Sequence, residues 1–151
     1  MKITLAAIVP RRSRSKADAF ETLIAEYTKR AARYTPTDSQ LFESEPEFLA
    51  WLPAQPGRVT PYTILLDSRG KQLLSEEIAT TLGGLRDQGT QRLVLAIGPA
   101  DGWSEKARSQ AGSLLGLGRI TLPHQLARVV LAEQVYRALT ILAGHPYHSG
   151  H

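Results

Sequence analysis

The sequence predicts an α/β domain with a mostly parallel sheet and helices on both faces. Three observations lead to this prediction. Short β-branched and aliphatic runs alternate with helical patterns along the chain, an order typical of parallel strands joined by helices. The chain has 151 residues, enough for one domain with a buried core. Its composition, 42% apolar and 21% charged, is that of a globular protein. We therefore expect a single domain over residues 1–151.

The first half of the chain predicts two strands, one helix and a long connection. A buried strand is expected over Lys2–Val9, followed by a basic loop. Ser15 is the expected N-cap of a helix with regular apolar spacing. A second strand is expected over Ser39–Glu43. Residues 44–61 contain four prolines, which predicts a loop-rich insertion with one helical turn around Glu47–Leu52.

The second half predicts three strands that alternate with three helices. The expected strands are Tyr62–Asp67, Arg92–Ile97 and Ser113–Leu117. The expected helices run from Ser75 to Asp87, from a Ser104 cap to Ala111, and over Gln125–Ala143. A polar turn is expected over Ser68–Lys71, directly after the first of these strands.

The loops that follow these strands are expected to meet at one pocket, because ligands bind beyond the carboxyl ends of parallel strands. That edge would hold Asp67, Gly98–Gly102 and Leu117–Leu122. Glycines in the second loop let the backbone approach a ligand, and an ordinary tight turn is the alternative. The third loop offers backbone groups and apolar side chains that suit a purine. Its alternative is a loop shaped only by glycine and proline.

The net charge of +4 is distributed unevenly. Residues 1–33 hold eight Lys and Arg against three acids, whereas residues 34–57 hold four acids and no Lys or Arg. A basic segment of this kind can neutralise nucleic-acid phosphates. The alternative is that Lys29, Arg30 and Arg33 stabilise a helix C-terminus, where cations interact favourably with the helix dipole.

Several classes of protein are excluded by what the sequence lacks. It has no cysteine, which excludes disulfides and thiolate zinc sites and fits a reducing compartment. No apolar run approaches the roughly 20 residues that cross a bilayer. The N-terminal apolar run is short and is followed by Arg11, Arg12 and Arg14, which does not suit a signal peptide. No catalytic signature of a hydrolase is present. We expect a cytoplasmic protein that binds neither metal nor membrane.

The C-terminal segment combines an apolar helix with a His-Pro-Tyr-His tail. Helix Gln125–Ala143 has little polar surface, which predicts burial and, in a chain this small, a dimer interface. Glu133 and Arg137 form an i,i+4 pair, and Arg137 can alternatively hold a phosphate or a substrate carbonyl. Within His145–His148, Tyr147 can stack on a base and a histidine can accept a proton. A frayed terminus is the alternative.

Several stretches in the second half of the chain follow one family pattern in order and spacing. They are Leu66–Lys71, Ser75–Ala79, Ile97–Gly102, Ile120–Arg128, Ala132–Ala138 and His145–His148. They resemble the small SPOUT-class methyltransferases that modify pseudouridine in large-subunit ribosomal RNA, the RlmH or YbeA-like family. The stretch from Thr121 to His148 is the most specific, and residues 10–61 match weakly.

The resemblance implies a C-terminal trefoil knot and a homodimer that uses S-adenosylmethionine to methylate N3 of a pseudouridine in 23S ribosomal RNA. The cofactor residues that it implies are Leu66, Gly98, Leu117, Gly118, Arg119, Ile120, Thr121 and Leu122. Near the target base it implies His148, His145, Tyr147 and Arg137, with a histidine of the tail as the candidate base. His124 and Arg128 are weaker candidates that can serve only to fix the loop and the helix.

Pro99 departs from the family pattern, which usually has a second glycine at this position. Proline removes the backbone N–H donor and fixes φ. One alternative to the enzyme, a knotted domain that binds S-adenosylmethionine without catalysis, therefore stays open. A second alternative, independent of Pro99, is a protein that only binds nucleic acid through Arg11, Arg12, Arg14 and the cations of the helix.

Overall fold

A five-stranded sheet forms the centre of the protein in the computed structural model, which describes residues 1–14 and 18–150. Its strands are β1 (Lys2–Ile8), β2 (Thr37–Phe42), β3 (Tyr62–Gln72), β4 (Arg92–Ile97) and β5 (Ser113–Gly116). Their spatial order is β2-β1-β4-β3-β5, and every neighbouring pair is parallel. The predicted α/β fold class is confirmed, while the trefoil knot stays a prediction.

Helices cover both faces of this sheet. They are α1 (Ala19–Ala31), α2 (Glu45–Trp51), α3 (Ser75–Asp87), α4 (Glu105–Gln110) and α5 (His124–Leu142). Short 3₁₀ turns occupy Arg11–Ser13, Leu52–Ala54 and His148–Gly150. Among the described residues, no helix has both the length and the apolar character needed to cross a membrane.

Two hydrophobic cores lie on opposite faces of the sheet, because side chains alternate along a strand. From β1, Leu5 and Ala7 enter the core formed with α1, α3 and α5. Ala6 and Ile8 enter the second core, where Phe48 of α2 and Ala107 of α4 pack. The proline-rich insertion thus contributes its short helix to the second face of the sheet.

The start of α1 differs from the expected one. Ser15, the predicted N-cap, lies outside the described residues. The helix has Asp18 as its N-cap, and the Asp18 carboxylate accepts a hydrogen bond from the Phe20 amide at 2.7 Å. An Asx-type cap placed directly before the first helical residue satisfies one of the orphan donors there.

The polar turn predicted after Tyr62–Asp67 is wrong, because β3 continues to Gln72. Its pairing with β5 shifts register between Leu66 and Lys71, as in a β-bulge. Gly70 permits this close approach, since a Cβ there would lie 2.5 Å from the Leu115 nitrogen. Residues 68–71 therefore extend the strand along the edge where the loops gather.

The apolar character of α5 is largely explained within its own chain. The helix packs against both α1 and α3. Leu131, Val135 and Leu139 are buried in the core that these helices share with the sheet. Near its N-terminal end, however, Leu126 remains exposed.

Candidate functional site

A cleft of about 780 Å³ opens at the carboxyl edge of the sheet. Its walls come from the ends of β3 and β4 and from the loops after β4 and β5. Asp67, 98–102 and 117–122 all line it, so the three loops expected to meet do lie together. All eight predicted cofactor residues are on its wall, namely Leu66, Gly98, Leu117, Gly118, Arg119, Ile120, Thr121 and Leu122. The volume lies within the range of small-molecule sites.

The floor of the cleft depends on a contact between Gly98 and Trp103. Gly98 is buried at the end of β4, and a Cβ on it would lie 2.7 Å from the Trp103 ring. Trp103 is 4% exposed, and its Nε1–H donates to the Leu66 carbonyl oxygen at 3.1 Å. Trp103 therefore ties the wall formed by β3 to the floor formed by β4. No pattern in the sequence points to this residue.

The first turn of α5 is fixed to the same floor by His124. Its Nε2 lies 2.7 Å from the Gly98 carbonyl oxygen. Because a carbonyl oxygen only accepts, Nε2 carries the proton in this contact. Arg128 is 6% exposed and donates to the Glu21 carboxylate and, at 2.9 Å, to Gln125. Both residues therefore hold the cleft and helix in place, which agrees with the weaker role expected for them.

A buried carboxylate closes the side of the cleft formed by β3. The Asp67 side chain is 4% exposed, and it accepts from Arg108 Nε at 2.7 Å and from the Arg69 amide at 2.8 Å. Burial alone would raise the pKa of Asp67, but these two hydrogen bonds outweigh burial and lower it. Glu105 joins the network by accepting from Arg108 at 2.8 Å. The carboxylate therefore stays ionised and orients Arg108 at the cleft wall.

We expect the stabilising effect of Asp67 to disappear in acid. Because the folded protein lowers its pKa, the ionised carboxylate stabilises the fold above the unfolded pKa of about 4. That contribution is lost as the pH falls through the lowered folded pKa. At pH 7, Asp67→Asn should lower the free energy of unfolding by about 2 kcal/mol, and the difference should shrink below about pH 4.

Urea unfolding of both proteins at several pH values measures this difference. Asp87→Asn is the matched control, since Asp87 is an exposed acid paired with Arg86 at 3.1 Å. Exposed pairs of this kind contribute little to stability. An equal loss in both variants would contradict a special role for the buried carboxylate.

The four residues predicted near the target base form a separate cluster on α5 and the C-terminal tail, against the first turn of α3. Arg137 donates from NH1 to His148 Nδ1 at 2.9 Å, and His148 Nε2 lies 2.8 Å from Glu76 Oε1. The Arg137 guanidinium also lies over the Tyr147 ring, 4.9 Å from its centroid. His145 Nδ1 accepts from the Tyr147 amide at 3.2 Å. The tail is thus folded against the protein rather than frayed.

Glu133 organises the charges of this cluster. It accepts from Arg137 Nε at 2.9 Å and from the Tyr147 hydroxyl at 3.2 Å. The hydrogen bond to Glu133 raises the pKa of Arg137. Burial, together with the nearby Glu133 charge, raises the pKa of Tyr147, so its phenol is a donor and not a base near neutral pH.

The structure does not bring this cluster into the cleft of its own chain. None of its four predicted residues, all of them described, lines that cleft. Ala127 is on the cleft wall, and Arg137 lies ten positions further along α5, a rise of about 15 Å. The cofactor residues and the tail residues therefore form two neighbouring sites in one chain.

The parallel sheet and the cleft at its carboxyl edge, with a glycine at the floor, place this protein in the class of α/β domains that bind small molecules. A family model described as "Predicted SPOUT methyltransferase" matches residues 1–148. The chain belongs to this family of SPOUT methyltransferases.

Two relatives agree with this assignment, and one solved structure shares the fold. The chain is 52% identical over 138 residues to ribosomal RNA large subunit methyltransferase H of Koribacter versatilis, covering 91% of this chain and 94% of that relative. It is 56% identical over 85 residues to the protein of the same name from Brucella ovis, 56% of this chain and 50% of that relative. The SpoU methyltransferase AviRb from Streptomyces viridochromogenes, solved with AdoMet, matches with a TM-score of 0.52 at 11% identity, covering 95% of this chain and 59% of AviRb. That last likeness shows the fold.

Proposed function

We propose that the chain is a single SPOUT methyltransferase domain that uses S-adenosylmethionine to methylate N3 of a pseudouridine in large-subunit ribosomal RNA. The observation that carries the proposal is the meeting of all eight predicted cofactor residues in one cleft. The RNA substrate follows from the name of the relative that is 52% identical over most of the chain. A ribosomal substrate also supports a cytoplasmic location for the protein.

The residues of the cleft fit this cofactor. Apolar side chains such as Leu66, Leu117 and Leu122 offer surfaces for an adenine ring, and the loop between them offers backbone donors and acceptors. Gly98 leaves no space for a side chain, so the backbone itself forms the floor. When bound, the cofactor supplies a methyl group on a positively charged sulfur. The chain's part is to hold it, exclude water and present the RNA base.

Pro99 does not disturb this cleft. It lines the wall, and its carbonyl oxygen accepts from the Gly102 amide at 2.9 Å, closing a tight turn. Gly102 has φ +91°, a conformation that glycine adopts without strain. The turn therefore keeps its shape although this position lacks an N–H donor.

We propose that a homodimer brings the tail of one copy to the cleft of the other. Phe20 and Leu23 of α1 and Leu126 of α5 are exposed by 37%, 45% and 37%. The ion pair between Glu21 and Arg128 places the two helices side by side there. A second copy packed against this apolar surface would place its own tail at the cleft of the first copy. This would explain why the tail residues do not line the cleft of their own chain. Analytical ultracentrifugation measures the predicted mass directly.

The loop after β1 is suited to contact the RNA backbone. β1 pairs with β4 in the register Ala7 to Ile97, so the loop leaves the sheet beside the cleft floor, about 5 Å away between strands. The Arg11 amide is held by Glu43 Oε2 at 2.7 Å, whereas the Arg11 and Arg12 side chains are exposed. This geometry presents two cations beside the site where a base would bind.

Replacing both Arg11 and Arg12 with glutamine is expected to raise the KM for RNA and leave the affinity for cofactor unchanged. The slope of log affinity against log salt should fall by roughly 1 to 2, one phosphate contact per cation. Arg33→Gln with Arg86→Gln is the matched control, because both residues are exposed at the opposite edge of the sheet. Equal effects in the two double variants would show that only total charge matters.

The function itself is tested on ribosomes that lack the modification. Incubation with the protein and labelled S-adenosylmethionine, followed by mapping of the labelled base, should identify one pseudouridine in the large subunit. Binding of cofactor by calorimetry without transfer would indicate a catalytically silent domain. RNA binding without any heat from the cofactor would indicate a protein that only binds RNA.

A further inference from the structure

We propose that Glu76 is a positioning residue that holds His148 with Nδ1 unprotonated and ready to accept the N3 proton of the target base. The inference rests on the proposed function, in which His148 lies near that base. It adds a residue of α3 to the site, 72 positions from its partner in sequence. Glu76 is not among the site residues that the sequence predicts.

The hydrogen bonds of His148 determine which ring nitrogen carries the proton. The His148 bond lowers the pKa of Glu76, so this carboxylate is ionised and can only accept. Nε2, at 2.8 Å, must therefore donate to it. A guanidinium can only donate, so Nδ1 accepts from Arg137 NH1 at 2.9 Å. The result is a neutral imidazole with its proton on Nε2.

Both partners of the ring are themselves held in place. Arg137 is 14% exposed and is anchored by Glu133, which accepts from its Nε at 2.9 Å. On the other side, Ser75 Oγ donates to Gln134 Oε1 at 2.7 Å and joins the first turn of α3 to α5. This contact lies one residue from Glu76. The packing of α3 against α5 therefore holds the Glu76 carboxylate beside His148.

The charged and titratable groups facing His148 are few in the described part of the chain. Glu76 faces it from α3, and Arg137, backed by Glu133, faces it from α5. Within the tail, the Tyr147 phenol is bound to Glu133. Glu76 is thus the carboxylate in direct contact with the ring, and its side chain is 60% exposed.

The N–H of Arg137 marks the direction from which a proton can reach Nδ1. In the reaction Arg137 gives up its hydrogen bond to Nδ1 and keeps its bond to Glu133, and the N3–H of the pseudouridine takes its place. The N3–H bond then breaks and the proton passes to Nδ1. The electron pair left on N3 forms the bond to the methyl group, whose former bonding electrons stay with the leaving sulfur. Glu76 then faces an imidazolium, whose charge it stabilises as a carboxylate does in a catalytic triad.

Two variants with the same charge change test the proposal. Glu76→Gln keeps an oxygen that can accept from Nε2 but removes the charge. Glu77→Gln removes the neighbouring charge at the same helix N-terminus and keeps an acceptor for the Leu74 amide, which Glu77 holds at 2.8 Å. Both variants lose an acid from the first turn of α3, so the loss of favourable interaction with the helix dipole is similar in the two. A difference between them therefore reports the contact with His148.

Nitrogen NMR of the His148 ring is the readout that does not depend on activity. The wild-type protein should show the proton on Nε2, and the fraction of this tautomer should fall in Glu76→Gln but not in Glu77→Gln. With undermodified ribosomes at saturating RNA, the single-turnover rate of Glu76→Gln should fall about tenfold or more, within the span of general-base effects. Cofactor affinity should be unchanged.

The outcomes distinguish a failure of the proposed function from a failure of the proposed role of Glu76. If wild-type protein methylates no ribosomal RNA, the proposed function fails, while the NMR result still decides how Glu76 acts on the ring. If wild-type protein is active and Glu76→Gln matches Glu77→Gln in rate and in the tautomer of the ring, the role of Glu76 is overturned. A proton found on Nδ1 in the wild-type protein also overturns it.

Discussion

Gly98→Ala is expected to abolish detectable binding of S-adenosylmethionine and to lower the free energy of unfolding by about 1 to 3 kcal/mol. The alanine Cβ would lie 2.7 Å from the Trp103 ring, well inside van der Waals contact. The Trp103 ring cannot move away freely, because it is buried and its Nε1–H is hydrogen-bonded to the Leu66 carbonyl oxygen. The strain must therefore move the backbone of Gly98, whose carbonyl also holds His124. The parts of the cleft wall that contact Gly98 should shift with its backbone.

Calorimetric titration of the cofactor and urea unfolding measure the two effects separately. Gly84→Ala is the matched control, since Gly84 lies in α3 and a Cβ there meets nothing within 4 Å. An alanine at this helix position should stabilise the protein by about 0.5 to 1 kcal/mol and leave cofactor binding intact. Normal cofactor affinity in Gly98→Ala would mean that the ligand binds outside the cleft.

The sheet could be predicted because its strands are short apolar runs whose local pattern agrees with their final environment. β4 (Arg92–Ile97) has the predicted bounds, and β1 differs only at its end. Residues 68–71 show where this agreement ends. Their Ser-Arg-Gly-Lys sequence favours a turn locally, but pairing with β5 draws them into β3. The decisive contact is with Leu115, more than 40 positions away, and no local pattern reports it.

The candidate site likewise contains residues that could be predicted from the sequence and residues that could not. The loops at the carboxyl edge were expected from the rule for parallel sheets, and the individual cofactor residues came from the family resemblance. Trp103, which supports Gly98, was missed because its role depends on a contact with Leu66, 37 positions away. Glu76 was missed for the same reason. A signal was present in its position at the N-terminus of α3, but an acid there is equally suited to the helix dipole.

His148→Ala is expected to lower the single-turnover rate at saturating RNA by about 10²- to 10⁴-fold, the usual contribution of a general base. The ring that would accept the N3 proton is lost, and Arg137 and Glu76 lose the partner between them. His145→Ala is the matched control within the tail. His145 is exposed, and its Nδ1 accepts from the Tyr147 amide, so its loss should loosen the tail and affect mainly the KM for RNA.

A mixture of two inactive variants then tests which chain supplies the tail. Gly98→Ala has a defective cleft and an intact tail, whereas His148→Ala has the reverse. If the tail of one copy serves the cleft of its partner, mixed dimers contain one site with both parts intact and regain methyl transfer. If tail and cleft belong to the same chain, no mixed dimer has a complete site and the mixture stays inactive. Unchanged rates in both histidine variants would instead show that neither ring is the base, and that the positioning of N3 and the methyl group supplies the rate.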